Sequence, residues 1–324
     1  MDQKGYIISG LTFLLMIPAV FLIIVFVDMA HTGVESQSLA IQADVTFYAA
    51  KDVEGNIPVI TEKVMQKTTE EVIKTGDPLP SGRMAIKKGL QEEMDHLSEK
   101  YHNESINVTC KIWSVNTASD PFKIEVNSTI YVKKGSVTHN ESISQNVSII
   151  DPNYPIPDPL PFIKCKKYGG VTNTSAKILY GPSLANLLKS KNLTNAYIYE
   201  NATSPLFIKK CPYDPYISHG NSPSFIVLKN CIDNGYFHES SDGTCFLCRL
   251  EGKATCAHYG FETFVAPSNS SNSTLMFAPC SSEHVIFDDF VYSGKGIVYY
   301  SNSSNYWKLF LDDGHRKKYG LPTY

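Results

Sequence analysis

The chain has 324 residues, 43% of them hydrophobic and 19% charged, with a formal net charge of −3. That length accommodates two domains, and the composition excludes wholesale disorder. A nearly neutral balance with no basic stripe excludes nucleic acid as a partner on electrostatic grounds.

Tyr6 to Val27 is a run of 22 residues without a charge. As a helix it reaches about 33 Å, enough for the roughly 30 Å hydrocarbon core of a bilayer. The run predicts a transmembrane helix over 6–27, with the lipid bilayer as partner, rather than a core helix or a cleaved secretory signal. A cleavage site after the small Ala30 would want a small residue where Asp28 stands. Met1 and Lys4 make the start slightly positive, whereas Asp28 and Glu35 follow the span. The positive-inside tendency then leaves residues 1–5 as a cytoplasmic head and everything beyond the span outside. The expectation is a single-pass protein of the cell membrane with an extracellular C-terminal ectodomain.

Val34, Ile41, Val45 and Tyr48 share one helical face, so the membrane helix should continue outward to about Asp52. Gly55-Asn56 and Pro58 predict an interruption there. A second helix is expected over Ile60–Thr75, ended by Gly76-Asp77-Pro78. A third starts with Ser81 as N-cap and carries Ile86, Leu90, Met94, Leu97 and Tyr101 on one face. Residues 28–101 thus read as a helical stalk.

The period then changes from helical to alternating. Ile106–Val115, Phe122–Val132 and a segment ending in Ile143, Val147 and Ile149 predict three strands of an antiparallel meander over 102–150. Five prolines between Asp151 and Pro161 suit an extended linker and set the domain boundary at 151–161. From 162 to 324, short β-prone runs recur at Ala196–Tyr199, Leu206–Ile208, Phe225–Leu228, Phe261–Val265, His284–Phe287 and Ile297–Tyr300. One short helix is expected at Leu184–Lys189. The fold class is α+β: a membrane helix, a helical stalk, a meander and a disulfide-rich, mostly β distal domain.

Of the eight cysteines, Cys110 lies on the first predicted strand. Cys165, Cys211, Cys231, Cys245, Cys248, Cys256 and Cys280 lie beyond the linker. In an extracellular setting all eight read as a disulfide framework. Seven is odd, so full pairing needs a bond between the domains, and Cys110–Cys165 is the preferred one. The alternative is a zinc site from Cys245, Cys248, Cys256 and His258, which supply three thiolates and one imidazole. The Cys245-x-x-Cys248 spacing suits zinc, whereas Cys256-x-His258 is tighter than the usual second pair. A redox role for the same Cys-x-x-Cys needs a helix that Gly252 soon breaks. The disulfide reading leaves no cofactor and no metal.

Eleven asparagines begin an Asn-x-Ser/Thr triplet: Asn103, Asn107, Asn127, Asn140, Asn146, Asn173, Asn192, Asn201, Asn269, Asn272 and Asn302. All lie beyond the stalk, which predicts a glycoprotein whose acceptors occupy surface positions.

No catalytic set emerges. Asp288-Asp289 and Asp312-Asp313 could bind a cation or act as paired carboxylates, but neighbouring strand residues point to opposite faces. His315 followed by Arg316, Lys317 and Lys318 reads as an exposed basic tail. His219, His238 and His284 have no identifiable nucleophile, and no nucleophile elbow or H-E-x-x-H occurs. The chain is therefore read as no enzyme. Tyr213, Tyr216, Tyr292, Tyr299, Tyr300, Tyr306 and Trp307 suit stacking on glycans or other surface proteins, or the core of a small β domain.

Lys4-Gly5-Tyr6-Ile7, a polar head meeting a long apolar helix, resembles the start of a type IV pilin-like precursor. The resemblance implies cleavage between Gly5 and Tyr6 and self-assembly through the N-terminal helix. The family's glutamate at the fifth mature position is absent, Gly10 standing there. These features together, with the C-terminal run from Phe310 through Leu321, resemble the membrane-anchored surface glycoproteins of methanogenic archaea. That resemblance implies a structural or adhesive role at the cell surface. A filament or pseudopilin subunit is the alternative, and an extracellular hydrolase the next.

Overall fold

α1 (Gln3–Thr75) is one continuous helix of 73 residues. The interruption expected at Gly55-Asn56 and Pro58 does not occur. A proline inside a helix costs about 3 kcal/mol, yet Val53, Ile57, Thr61, Met65 and Val72 are all buried at helical spacing around it. That continuous buried stripe overrides the local breaker. Earlier in the helix the apolar side chains face outward: Phe13 to Val27 include none below 43% exposure among the large hydrophobics. An 18-residue window of α1 has mean hydropathy 2.7 and no buried residue, so α1 is long and apolar enough to cross a membrane.

The computed structural model describes residues 3–102, 105–192, 196–213, 219, 225–267, 279–287, 297–302, 305–310 and 317–319. They form two compact units. One comprises Met1–Gly55, Asp95–Cys110 and Ile130–Glu141; the other comprises Asn56–Met94, Lys111–Thr129 and Ser142–Tyr324.

α2 (Gly82–His102) buries Ile86, Leu90 and Met94, as its periodicity predicts. Ser81 Oγ accepts from the Met84 N–H at 3.3 Å, the expected N-cap bond. The three predicted strands form as β1 (Asn107–Thr117), β2 (Lys123–Lys134) and β3 (Val137–Ser148), in the order β1-β2-β3. Val108, Cys110 and Ile112 on β1 and Ile124, Val126, Ile130 and Val132 on β2 line the buried face. β3 is mostly exposed until Val147.

In the first unit Lys51 pairs with Glu54 at 2.6 Å and Glu141 at 3.3 Å. Gln42 Oε1 accepts from the Ser136 N–H at 3.1 Å.

Beyond β3, the proline-rich run is packed. Ile156 and Leu160 are buried, the Asp158 N–H donates to the Leu206 carbonyl at 2.7 Å, and the Ile208 N–H donates to Ile156 at 3.0 Å. There follow α3 (Leu160–Cys165), a 3-10 turn at Lys166–Tyr168, β4 (Thr172–Asn173), β5 (Lys177–Leu179), α4 (Ser183–Ser190), a 3-10 turn at Ala196–Tyr199 and β6 (Thr203–Pro205). α4 matches the short helix expected there. Its Leu184, Leu187 and Leu188 join Leu160, Ile178, Tyr180, Tyr199, Val265 and Phe287 in one apolar core.

Next come α5 (Phe225–Asn234), β7 (His238–Ser240), α6 (Phe246–Arg249), β8 (Gly260–Glu262), β9 (Phe264–Val265), β10 (Pro279–Ser282), α7 (Glu283–Phe287), β11 (Ile297–Asn302) and β12 (Asn305–Phe310). Strands at Phe261–Val265 and Ile297–Tyr300 are borne out. Ala196–Tyr199, Phe225–Leu228 and His284–Phe287 are helical instead, because a short apolar run has no period that separates a buried helical turn from a strand. β4-β5-β6 and β7-β8 are small sheets, and β11-β12-β10-β9 is mixed, with β10 parallel to β12.

Candidate metal centres

The Cys245-x-x-Cys248 turn is held by backbone contacts that demand glycine. A Cβ on Gly260 would lie 2.4 Å from the Thr244 carbonyl carbon, so only glycine lets β8 cross the chain entering the turn. His258 Nδ1 lies 3.8 Å from Cys245 Sγ and 3.6 Å from Cys248 Sγ. The Cys245 N–H donates to Cys256 Sγ at 3.4 Å. All four ligand atoms of Cys245, Cys248, Cys256 and His258 lie within 4.8 Å of one another. Hydrogen bonds from Cys245 and Cys248 hold Cys256 far below the ordinary thiol range, and the Cys245 contact pushes Cys248 far above it.

A second cluster was not legible in the sequence. Cys211, His219, Cys231 and His238 are all buried, and their ligand atoms also lie within 4.8 Å of one another. Cys211 Sγ is 3.3 Å from His219 Nε2 and 3.3 Å from Cys231 Sγ. The Tyr213 N–H donates to Cys211 Sγ at 3.4 Å. The Cys231 hydrogen bond, followed by those of His219 and His238, brings the Cys211 thiol down to about 3. α5 supplies Cys231 and β7 opens on His238. Cys211 is placed by its N–H bond to the Phe237 carbonyl, 2.9 Å. The two imidazoles meet edge to face at 5.1 Å between ring centres, with the Tyr319 ring 5.7 Å and the Phe264 ring 6.0 Å from His238. His219 and His238, read in the sequence as scattered, are therefore neighbours. The missed signal was the order Cys–His–Cys–His, whose intervals match no common zinc spacing.

Arg249, the residue after Cys248, is fully buried. It pairs with Asp158 at 2.9 Å and with Glu283, donates to the Phe261 carbonyl at 2.9 Å, and stacks on the Phe261 ring at 4.5 Å. Burial pushes the Glu283 carboxyl up to about 8 against the pull of Arg249. A second hub forms at Glu262. It accepts from Tyr319 Oη at 2.5 Å, Ser240 Oγ at 2.8 Å and Lys318 Nζ at 3.2 Å. Lys318 and Tyr319 are thus docked, and the basic tail expected there is not wholly exposed.

Among the described cysteines none forms a disulfide; Cys110 and Cys165 are both buried, and burial pushes the Cys165 thiol up to about 12. The Cys280 side chain lies outside the described residues, as do Asp288, Asp289, Asp312, Asp313, His315, Tyr216 and Tyr292. His284 is buried, with Nδ1 3.0 Å from Ser282 Oγ. Tyr213 is 46% exposed, and Tyr300 pairs across the β11–β12 hairpin with Trp307. Of the sequon residues, Asn107, Asn140, Asn146, Asn173, Asn192 and Asn201 are exposed. Asn127 is half-buried, with Nδ2 donating to Ser114 Oγ at 3.1 Å. Asn103, Asn269 and Asn272 lie outside the described residues.

No protein-family model, no curated protein and no solved structure matches the chain.

Proposed function

We propose that this chain is a single-pass membrane protein whose C-terminal part serves a structural or recognition role at the cell surface. The observation that carries the reading is the apolar start of α1, whose side chains from Phe13 to Val27 lie uncovered. A row of Leu, Ile, Val and Phe in water would be strongly unfavourable, whereas each favours a bilayer centre by about 0.3–0.6 kcal/mol. The exposed sequon asparagines support an outward C-terminal part, since glycan acceptors need surface positions.

Glycosidase treatment of the full-length protein, with protease protection of intact cells, tests the topology. A mass shift on deglycosylation and digestion from outside are expected. An unshifted, protected chain rejects the extracellular assignment.

A pilin-like subunit is the second reading, favoured by the unbroken α1 followed by the β1-β2-β3 sheet. Intact-mass measurement decides it: loss of residues 1–5 is expected for the processed subunit, and a retained head rejects it.

A further inference from the structure

We propose that Cys211, His219, Cys231 and His238 hold one zinc ion, and that Cys245, Cys248, Cys256 and His258 hold a second.

Geometry comes first. With Zn–S near 2.3 Å and Zn–N near 2.0–2.1 Å, the ligand atoms of a tetrahedral site stand roughly 3.3–3.8 Å apart. In the first cluster Cys211 Sγ stands 3.3 Å from both His219 Nε2 and Cys231 Sγ. In the second, His258 Nδ1 stands 3.8 Å from Cys245 Sγ and 3.6 Å from Cys248 Sγ. These edges lie within about 0.5 Å of those of a zinc tetrahedron, and each set has four members whose ligand atoms all fall within 4.8 Å of one another.

Ligand chemistry selects the metal. Two thiolates with two imidazoles, or three with one, suit zinc; hard cations such as calcium and magnesium want oxygen ligands. Charge suits the burial. A divalent ion with two thiolates and two neutral imidazoles is neutral overall, so the fully buried first site encloses no net charge. Loading balances simply: each cysteine thiol that becomes a zinc thiolate releases one proton to solvent.

The competing outcome for the first set is a Cys211–Cys231 disulfide. It would use two of the four members and leave the convergence of His219 and His238 without a role. Metal content and topology are read in separate experiments, so the proposal can fail independently of the surface assignment.

The test uses the full-length chain, purified in detergent under anaerobic conditions without chelator, with metal counted by elemental mass spectrometry. About two zinc ions per chain are expected, falling to about one in Cys231→Ser and to about one in Cys248→Ser. If those variants fail to accumulate, cobalt replacement in the wild-type chain gives the same answer. Intense visible bands of tetrahedral Co2+ with thiolate charge-transfer absorption are expected. Zinc-free protein, cobalt without such bands, an undiminished zinc count in either variant, or a mapped Cys211–Cys231 disulfide overturns the proposal.

Discussion

Arg83 Nη2 lies 2.8 Å from His258 Nε2. A guanidinium can only donate, so in this arrangement Nε2 accepts and Nδ1 carries the ring proton, directed at the sulfurs of Cys245 and Cys248. Zinc on Nδ1 would displace that proton, give Nε2 one, and shift the guanidinium off the lone pair. Two terms then oppose each other. The lost charged hydrogen bond is worth about 1.5–3 kcal/mol. A unit positive charge about 7 Å from a site of net charge −1, across the imidazole ring, is worth about 2.4 kcal/mol at an effective dielectric of 20.

The two terms nearly cancel, so Arg83 should leave the zinc affinity of the second site almost unchanged. Arg83→Ala is expected to alter zinc retention there by less than about tenfold against a chelator. The first site should be unaffected. A loss of retention well beyond tenfold in Arg83→Ala would sink this account.

Glu283 makes stability depend on pH. Its carboxyl is pushed up to about 8 in the folded chain, above the ordinary 4.5. Between these values the folded state holds a proton that the unfolded state has lost. Stability from this group is therefore present below about pH 4.5 and lost as pH rises through about 8. Denaturation of wild type and Glu283→Gln across pH 5–8 reads the difference, which should move against the wild type by at most about 1.4 kcal/mol per pH unit. A constant or opposite difference rejects the assignment.

Two glycines should respond oppositely to alanine. A Cβ on Gly82 would lie 2.3 Å from the Leu247 carbonyl oxygen, inside the Cys245–Cys248 turn, whereas nothing lies within 4 Å of one on Gly55. Gly82→Ala must push the start of α2 off that turn, at a cost of about 1–3 kcal/mol. It also disturbs the Gly82 N–H bond to Glu251 Oε1, 3.0 Å. Gly55→Ala, in an exposed helical position, should gain about 0.5–1 kcal/mol. Denaturant midpoints shifting the same way for both would contradict the packing described.

The membrane reading predicts a position-dependent effect of charge. Ile17 and Val34 are 55% and 67% exposed on the same helix. Ile17→Arg places a charge near the middle of the apolar run and should cost about 2.5–3.5 kcal/mol of insertion. Val34→Arg lies beyond the run and should cost little. Retention of both variants in carbonate-washed membranes at wild-type level would argue against a span.

The sequence by itself determined what local period and composition can carry. Residues 6–27 read as apolar, Ser81 as a cap, Ile86, Leu90 and Met94 as a helix face, and β1 and β2 as alternating strands, because each signal lies within one element. Pro58 misled because its penalty is local, while the buried stripe that carries α1 through it depends on packing from distant segments. The metal clusters divide in the same way. Cys245, Cys248, Cys256 and His258 lie close enough in the chain for their spacing to suggest a common site. Cys231 comes from α5 and His238 from the start of β7, and Cys211 and His219 precede both in the chain. Only the tertiary structure brings those four together, since the distance between side chains in separate elements is set by how the elements pack.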